Sequence, residues 1–550
     1  MLPLKKCIHL KNRGSVLIIS MIFILVFSAL AVSMASMSGN NLQLADNQCK
    51  VNSALSAAQS GLECCKYLIT TLTNMPSTFT NEISQDDATQ VWNTFCTQLH
   101  DTAFDGKTVQ TASRFSDSYG SGDQIMTESL DYCSGTNFTL RFYRYDDNPN
   151  IIKIQSTGTC GETVQRVNMD MQIAKENKVM EYAVAGRGRM WLTGQSTIHG
   201  DVFSSWDVAR VAPFNMTSDS AVLGTINTVL TLDQIKQQSY RLETLNANNQ
   251  PIDSSGNPLS DNYDDRYYGL YDEVKAYHEG INYGQPDSDD MPGMDIDDYD
   301  TSMYNDGSLT QIPSCPSSQR EVEYFPHAAG NYNYPRDGNP YSTPDLRLTR
   351  HVYENQTFTN AELPSNRNAL FRNCTFEEVL YIDCSPSTSS YYNNVRFENC
   401  TFNGVIVTNV PQSFKWMNNC LYFTGEATFN NTSSIKEATI LAPHFNVNLG
   451  NTNPEQNENN VLTGAIIGGI VDVRGNAQIY GTIVSMCDTT QWTSGYVTNI
   501  GATLDDGGSE TTEVGDIGVI NITPDKKQML PSGIKTPIVL KPMQDTYTEG

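Results

Sequence analysis

From Gly14 through Ala45 the chain carries no charged residue, and Lys5, Lys6, Lys11 and Arg13 stand just before that stretch. Between Val16 and Met37 the residues are Val, Leu, Ile, Met, Phe and Ala, interrupted only by Ser. At about 1.5 Å per residue, such a run crosses a hydrocarbon layer of roughly 30 Å as a single helix. A secretory signal has a shorter apolar region of about 7–15 residues followed by a small-residue cleavage site, so removal of this run as an ordinary signal is the weaker reading. The basic flank predicts that residues 1–13 stay cytoplasmic and the bulk of the chain is exported, giving a single-pass membrane protein.

The helix is expected to continue past the membrane, because no proline follows until Pro76. Leu42, Ala45, Cys49, Val51, Leu55, Ala58, Leu62, Cys65 and Leu68 recur at helical intervals and form one broad stripe. A helix from Ser15 to about Thr73 is roughly 90 Å long. Its outer half is rich in Ala and Ser, small residues that let helices approach closely.

These residues carry a family resemblance. The run "KNRGSVLIISMIFILVFSALAV", followed by "NNLQLADNQ" and "ALSAAQSGLE", resembles the N-terminus of type IV pilin-like proteins, specifically the PilX-type minor pilins. In that family a prepilin peptidase cuts after the Gly of a short basic leader, and the apolar helix is kept as anchor and later as filament packing. The resemblance implies cleavage between Gly14 and Ser15 and an assembly helix that includes Val16, Leu17, Ile18, Ile19, Phe23 and Leu25. Its implied partners are the membrane, the prepilin peptidase and other pilin-like subunits. Major pilins place a Glu at the fifth mature position, where this chain has Ile19. A buried carboxylate helps only beside its partner, so the departure implies a minor subunit.

Behind the helix, residues 138–146, 150–160 and 163–174 alternate apolar and polar side chains, and "STGTCGETVQR" reads as a hairpin turn. A long helix on a small antiparallel sheet resembles a pilin head. Cys133 and Cys160 flank these strands; either a disulfide or two free thiols fits the sequence. The 13 cysteines include no CxxC pair, so no zinc site is expected. No cofactor is expected either. A net charge of −26 argues against a nucleic-acid partner.

Internal repeats organise the rest. "GQSTIHGDVFS" (194–204) aligns with "GNAQIYGTIVS" (475–485), and "YENQTF", "FRNCTF", "FENCTF" and "MNNCLYF" form a second family between them. With Gln356, Cys374, Cys400 and Cys420 as equivalents, the spacings are 18, 26 and 20 residues. Short constant strands with variable loops predict a parallel β-helix, with Cys374, Cys400 and Cys420 as an interior ladder beside Phe376 and Phe402. A β-sandwich is the rival.

The expected fold is therefore an α+β pilin-like part followed by an all-β right-handed parallel β-helix with a long insertion. The expected organisation is a leader over 1–14, a long helix over 15–75 (membrane-spanning over 16–37) and a head over 76–180. A first β-helix coil at 181–205, an acidic Tyr-rich insertion over 206–345, β-helix repeats over 346–500 and a tail over 501–550 follow. From Asp253 to Asp306 there are 15 acidic residues against Arg266 and Lys275. Asp287, Asp289, Asp295 and Asp297 are weak calcium candidates, but the run does not follow EF-hand ligand order. A solvated acidic loop, with tyrosines suited to a surface glycan or protein ligand, is the expected outcome.

Catalytic signals are weak. Glu377, Glu378, Asp383, Glu398, Asp472 and Arg474 lie in the repeat zone, yet Asn403 and Gly404 replace Glu377 and Glu378 in the next repeat. His199 reads as a turn or packing residue, since Tyr480 matches it. The expectation is a non-enzymatic minor pilin or pseudopilin-like protein that assembles through its N-terminal helix and displays its head for adhesion or capping. The alternatives are a membrane-anchored polysaccharide lyase or hydrolase and a static envelope protein.

Overall fold

A computed structural model describes residues 13–101, 109–208, 212–217, 219–234, 274, 276–286, 291, 293–324, 347–384, 393–414, 418–430, 440–450, 459–474, 476–488, 496–501, 519–525 and 530–550. It combines one long apolar N-terminal helix with a large β-rich region built mainly from parallel strands. The chain divides into two compact units. One comprises residues 1–75, 84–173 and 540–550; the other comprises 76–83 and 174–539.

In the first unit, helix α1 spans Arg13–Thr70 and helix α2 spans Gln85–Asp101. The start of α2 is a reciprocal cap: the Asp87 amide donates to Ser84 Oγ at 3.0 Å, and Ser84 Oγ donates back to Asp87 Oδ2 at 2.6 Å. Its apolar face buries Val91, Trp92, Phe95 and Leu99. The three predicted strands appear as Thr136–Tyr145, Asn148–Cys160 and Thr163–Lys175, paired antiparallel. Residue by residue, Thr136–Tyr145 alternates buried and half-buried, as one core-facing side of a sheet requires. Cys160 pairs with Thr163, and Gly161 takes φ +60° in the two-residue loop between them.

Three expectations for this part need correction. Residues 540–550, expected as tail, belong to this unit: Arg166 and Gly550 exchange both backbone hydrogen bonds, at 2.8 and 2.9 Å. Residues 76–83 and 174–180, expected in the head, fall in the other unit. Cys133 and Cys160 are free, and they flank opposite sides of Thr136, which pairs with each of them. With a strand between them their α-carbons stand about 9–10 Å apart, beyond the roughly 7 Å a disulfide spans.

In the second unit, 25 strands among the described residues form one sheet, and their pairings are parallel except between Arg320–Tyr324 and Arg347–Glu354. Equivalent side chains therefore stack in register. Thr357, Thr375, Thr401 and Thr428 make one such line, and Ile406, Ile440, Ile466, Ile483, Val184, Val202, Ile226 and Ile281 make another. Two aromatic lines run beside each other. Tyr353, Phe371, Phe397 and Phe423 stack at centroid distances of 4.9, 5.4 and 5.0 Å. Phe358, Phe376, Phe402 and Phe429 stack at 5.4, 5.0 and 4.4 Å, and members of the two lines meet edge to face. Each such pair adds about 0.5–1.5 kcal/mol beyond burial.

This register corrects the repeat alignment. Phe397 pairs with Phe423 and Phe402 with Phe429, so the spacings are 18, 26 and 26 residues in the first aromatic line and 18, 26 and 27 in the second. Cys374 and Cys400 occupy equivalent positions, but the next row has Ala427 there; Cys420 pairs with Asn394 instead. The turn before each cysteine explains why. Asn355, Asn373 and Asn399 hold φ of 54°, 49° and 54°, a left-handed conformation that Asn tolerates better than most residues. The fourth row makes the same turn with Gly425 at φ +68° and one extra residue, which hides the match from a gapless comparison.

Row order also departs from chain order. The strand Val519–Thr523 pairs with Asn476–Tyr480 on one side and Gln195–Ile198 on the other. The two glycine motifs are thus separated by a single row, and residues 501–550 hold a ladder strand rather than only a tail. Phe214–Met216, Ala221–Val222, Thr225–Thr228 and Gly280–Asn282 continue the ladders, although 206–345 was expected to lie outside them. Residues 291–304 are not a free acidic loop either. Met291, Met294 and Tyr299 bury against Ala185, Phe203, Leu441, Ile467 and Val484, while Asp297 stays exposed. Thr301 Oγ1 donates to the Thr408 carbonyl at 2.6 Å, and the Asp300 amide donates to the Gly533 carbonyl at 2.7 Å. Much of 235–273 lies outside the described residues.

Removing Phe402 by Phe402→Ala breaks the stack at its tightest point and is expected to cost about 3–5 kcal/mol, read as a lowered unfolding midpoint; Tyr480→Ala, at an exposed position, should shift it little. His444 gives a pH dependence. It is buried and stacked on Phe414 at 3.5 Å, and burial pushes its pKa down to about 4. Its folded pKa lies below the unfolded value of about 6.5, so its contribution is complete above that pH and is lost as pH falls towards 4. The unfolding midpoint should therefore drop between pH 7 and 4 more steeply in the wild type than in His444→Phe.

Candidate assembly helix

Helix α1 has two halves with opposite surroundings. Its apolar residues from Val16 to Leu44 have exposures between 48% at Leu30 and 74% at Leu42. Ala54, Ala57, Ala58 and Cys65 are fully buried, and Leu62 nearly so. Among the described residues, α1 is one helix long and apolar enough to cross a membrane, and none of its most apolar window is buried. Gly14 and Ser15 lie in its opening turn. Val16, Leu17, Ile18, Ile19, Phe23 and Leu25 all sit in the exposed half, where Phe23 and Phe27 stack at 6.1 Å. Of the predicted stripe, Ala58, Leu62 and Cys65 are buried, Val51, Leu55 and Leu68 are half-buried, and Leu42, Ala45 and Cys49 are exposed.

The small residues of the second half serve a helix–sheet contact rather than the helix–helix approach expected of them. A Cβ at Gly158 would stand 2.0 Å from the Ala54 carbonyl oxygen and 2.6 Å from the Ala58 nitrogen. One at Gly61 would stand 2.3 Å from Ser156 Oγ and 2.7 Å from the Phe138 ring. At Gly158 backbone meets backbone and only glycine fits, whereas Gly61 sits against the Ser156 and Phe138 side chains. At the far edge of the sheet, Gln59 donates to Glu549 Oε1 at 3.1 Å, tying the end of the chain to α1. The helix is thus held by its second half alone. The first ion pair on it, Asp46 with Lys50 at 2.6 Å, comes where the apolar run ends.

Chemistry-bearing residues do not converge elsewhere. Glu377 accepts from Asn403 Nδ2 at 3.0 Å, and Glu398 is paired with Arg372 at 3.3 Å. Asp383 is half-buried and burial raises its pKa. Asp472 is buried in a line with Asn448 and Asn499, and Asn499 donates to it. These carboxylates occupy different ladders, Glu378 pairs with Gly404, and the Arg474 side chain lies outside the described residues. His199 is exposed, and its amide donates to the Ile522 carbonyl at 2.7 Å. Asp287 and Asp289 also lie outside the described residues; Asp295 caps a short turn by accepting from the Asp297 amide at 3.0 Å. No cluster of three metal-ligating His, Cys, Asp or Glu occurs among the described residues.

Gly158 and the strand Thr536–Glu549 are features that sequence reading passed over. The apolar run Ile538–Leu540 was a usable signal for the latter, whose first six residues alternate buried and half-buried. Gly158→Val should dislodge α1 from the sheet, seen as faster hydrogen exchange and proteolysis across residues 54–65, whereas Gly280→Val, at a position with open space around its Cβ, should leave that segment protected.

No protein-family model matches the chain, and no curated protein does. Among solved structures it is similar to the competence-associated pilin ComZ from Thermus thermophilus, with 13% identity over 91% of this chain and 97% of that one. The TM-score is 0.25, too low for the likeness to carry an argument.

Proposed function

We propose that the protein is a minor, PilX-type subunit of a type IV pilus or type II secretion-like filament, anchored in the membrane and assembled through α1. The observation that carries this reading is the division of α1: an uncharged, exposed half ahead of a half packed on an antiparallel sheet. An exposed apolar surface of that size needs a partner, and a bilayer or a bundle of like helices supplies one. Prepilin peptidase removes residues 1–14, Ser15 becomes the N-terminus, and Ile19 in place of Glu suits a subunit used sparingly. The parallel ladders close into a right-handed β-helix that is displayed outside the cell for adhesion or capping, without catalysis. The scatter of carboxylates over separate ladders supports that last point, because glycoside hydrolysis needs two at a set separation.

The test is the mass of the mature N-terminus after expression of the full chain with and without prepilin peptidase. With the peptidase the chain should begin at Ser15 and carry an N-terminal methyl group. An intact Met1 in its presence overturns the reading.

A further inference from the structure

Cys374 and Cys400 are the only cysteines at equivalent places in the repeated "NCTF" turns. Their neighbours fix their relation: Arg372 pairs with Glu398 and Thr375 with Thr401, and the Thr401 amide donates to the Cys374 carbonyl at 3.0 Å. In-register neighbours on parallel strands stand about 4.8 Å apart, inside the roughly 4.4–6.8 Å between α-carbons that a disulfide takes. Both side chains are 1% exposed. Cys400 Sγ reaches across to the neighbouring row, 3.4 Å from the Phe371 carbonyl, and Cys374 Sγ lies 3.3 Å from the Arg372 carbonyl in that same row. Gln356 and Ala427 occupy the same place in the flanking rows, so no further cysteine of the ladder competes.

From this geometry we propose that Cys374 and Cys400 form an intrachain disulfide that staples consecutive rows of the ladder. The two thiols lose two protons and two electrons as the S–S bond forms, and a disulfide-bearing oxidant accepts them and leaves as its dithiol. Because the pair ends up buried, the exchange takes place while the row is still folding. The oxidising setting is that of the exported domain proposed above, so the test supplies the oxidant directly and lets the two readings fail separately.

The full chain is synthesised cell-free into detergent, in parallel under a glutathione disulfide buffer and under dithiothreitol. Free thiols are trapped with N-ethylmaleimide and peptides are mapped without reduction. Under glutathione disulfide the peptides bearing residues 374 and 400 should appear cross-linked and 2 Da lighter than their sum. Under dithiothreitol both should carry the maleimide, and the oxidised chain should have the higher unfolding midpoint. In Cys400→Ala, Cys374 should carry the maleimide in both buffers. Recovery of both thiols as maleimide adducts from the oxidising arm, or a link from either to another cysteine, overturns the proposal.

Discussion

In-register stacking of like side chains is the constraint on which the larger unit depends. Parallel pairing places each residue beside its equivalent about 4.8 Å away, so one favourable residue type repeats its benefit along the line. The lines from Tyr353 to Phe423 and from Phe358 to Phe429 do this with aromatic rings whose spacings of 4.4–5.5 Å match the strand separation. Positive-φ residues at 355, 373, 399 and 425 keep the register by turning the chain identically before each second strand. The register then decides which side chains meet, including the two thiols at 374 and 400.

A second constraint acts on α1. Helices of this composition form readily, but they need partners for their apolar faces. Gly158 brings one half onto the sheet at backbone contact, and Gly61 leaves room there for the Ser156 and Phe138 side chains. The other half has neither small residues matched to a strand nor charge suited to water, which is why its surroundings must come from outside the chain.

Much of this was legible. Helix α1, the three antiparallel strands and the repeated "N-C-T-F" rows follow from local patterns that tertiary packing did not override. The fourth row escaped because Gly425 and one inserted residue perform the turn that Asn performs elsewhere. The role of the acidic segment escaped for a different reason. Met291, Met294 and Tyr299 are spaced among aspartates, and an apolar surface to receive them exists only once Ala185, Phe203, Leu441 and Val484 are aligned by the ladders.

The sequence by itself determined the uncharged span, its basic flank and the strand repeat, because each rests on composition or short-range periodicity. Tertiary structure alone decided that Val519–Thr523 sits between two motifs more than 270 residues apart in the chain, and that Thr536–Glu549 closes the small sheet. It also decided that Cys133 and Cys160 are held a strand apart while Cys374 and Cys400 fall in register on neighbouring rows. Such pairings depend on register between distant segments, and register is set by the summed fit of many side chains rather than by any one stretch.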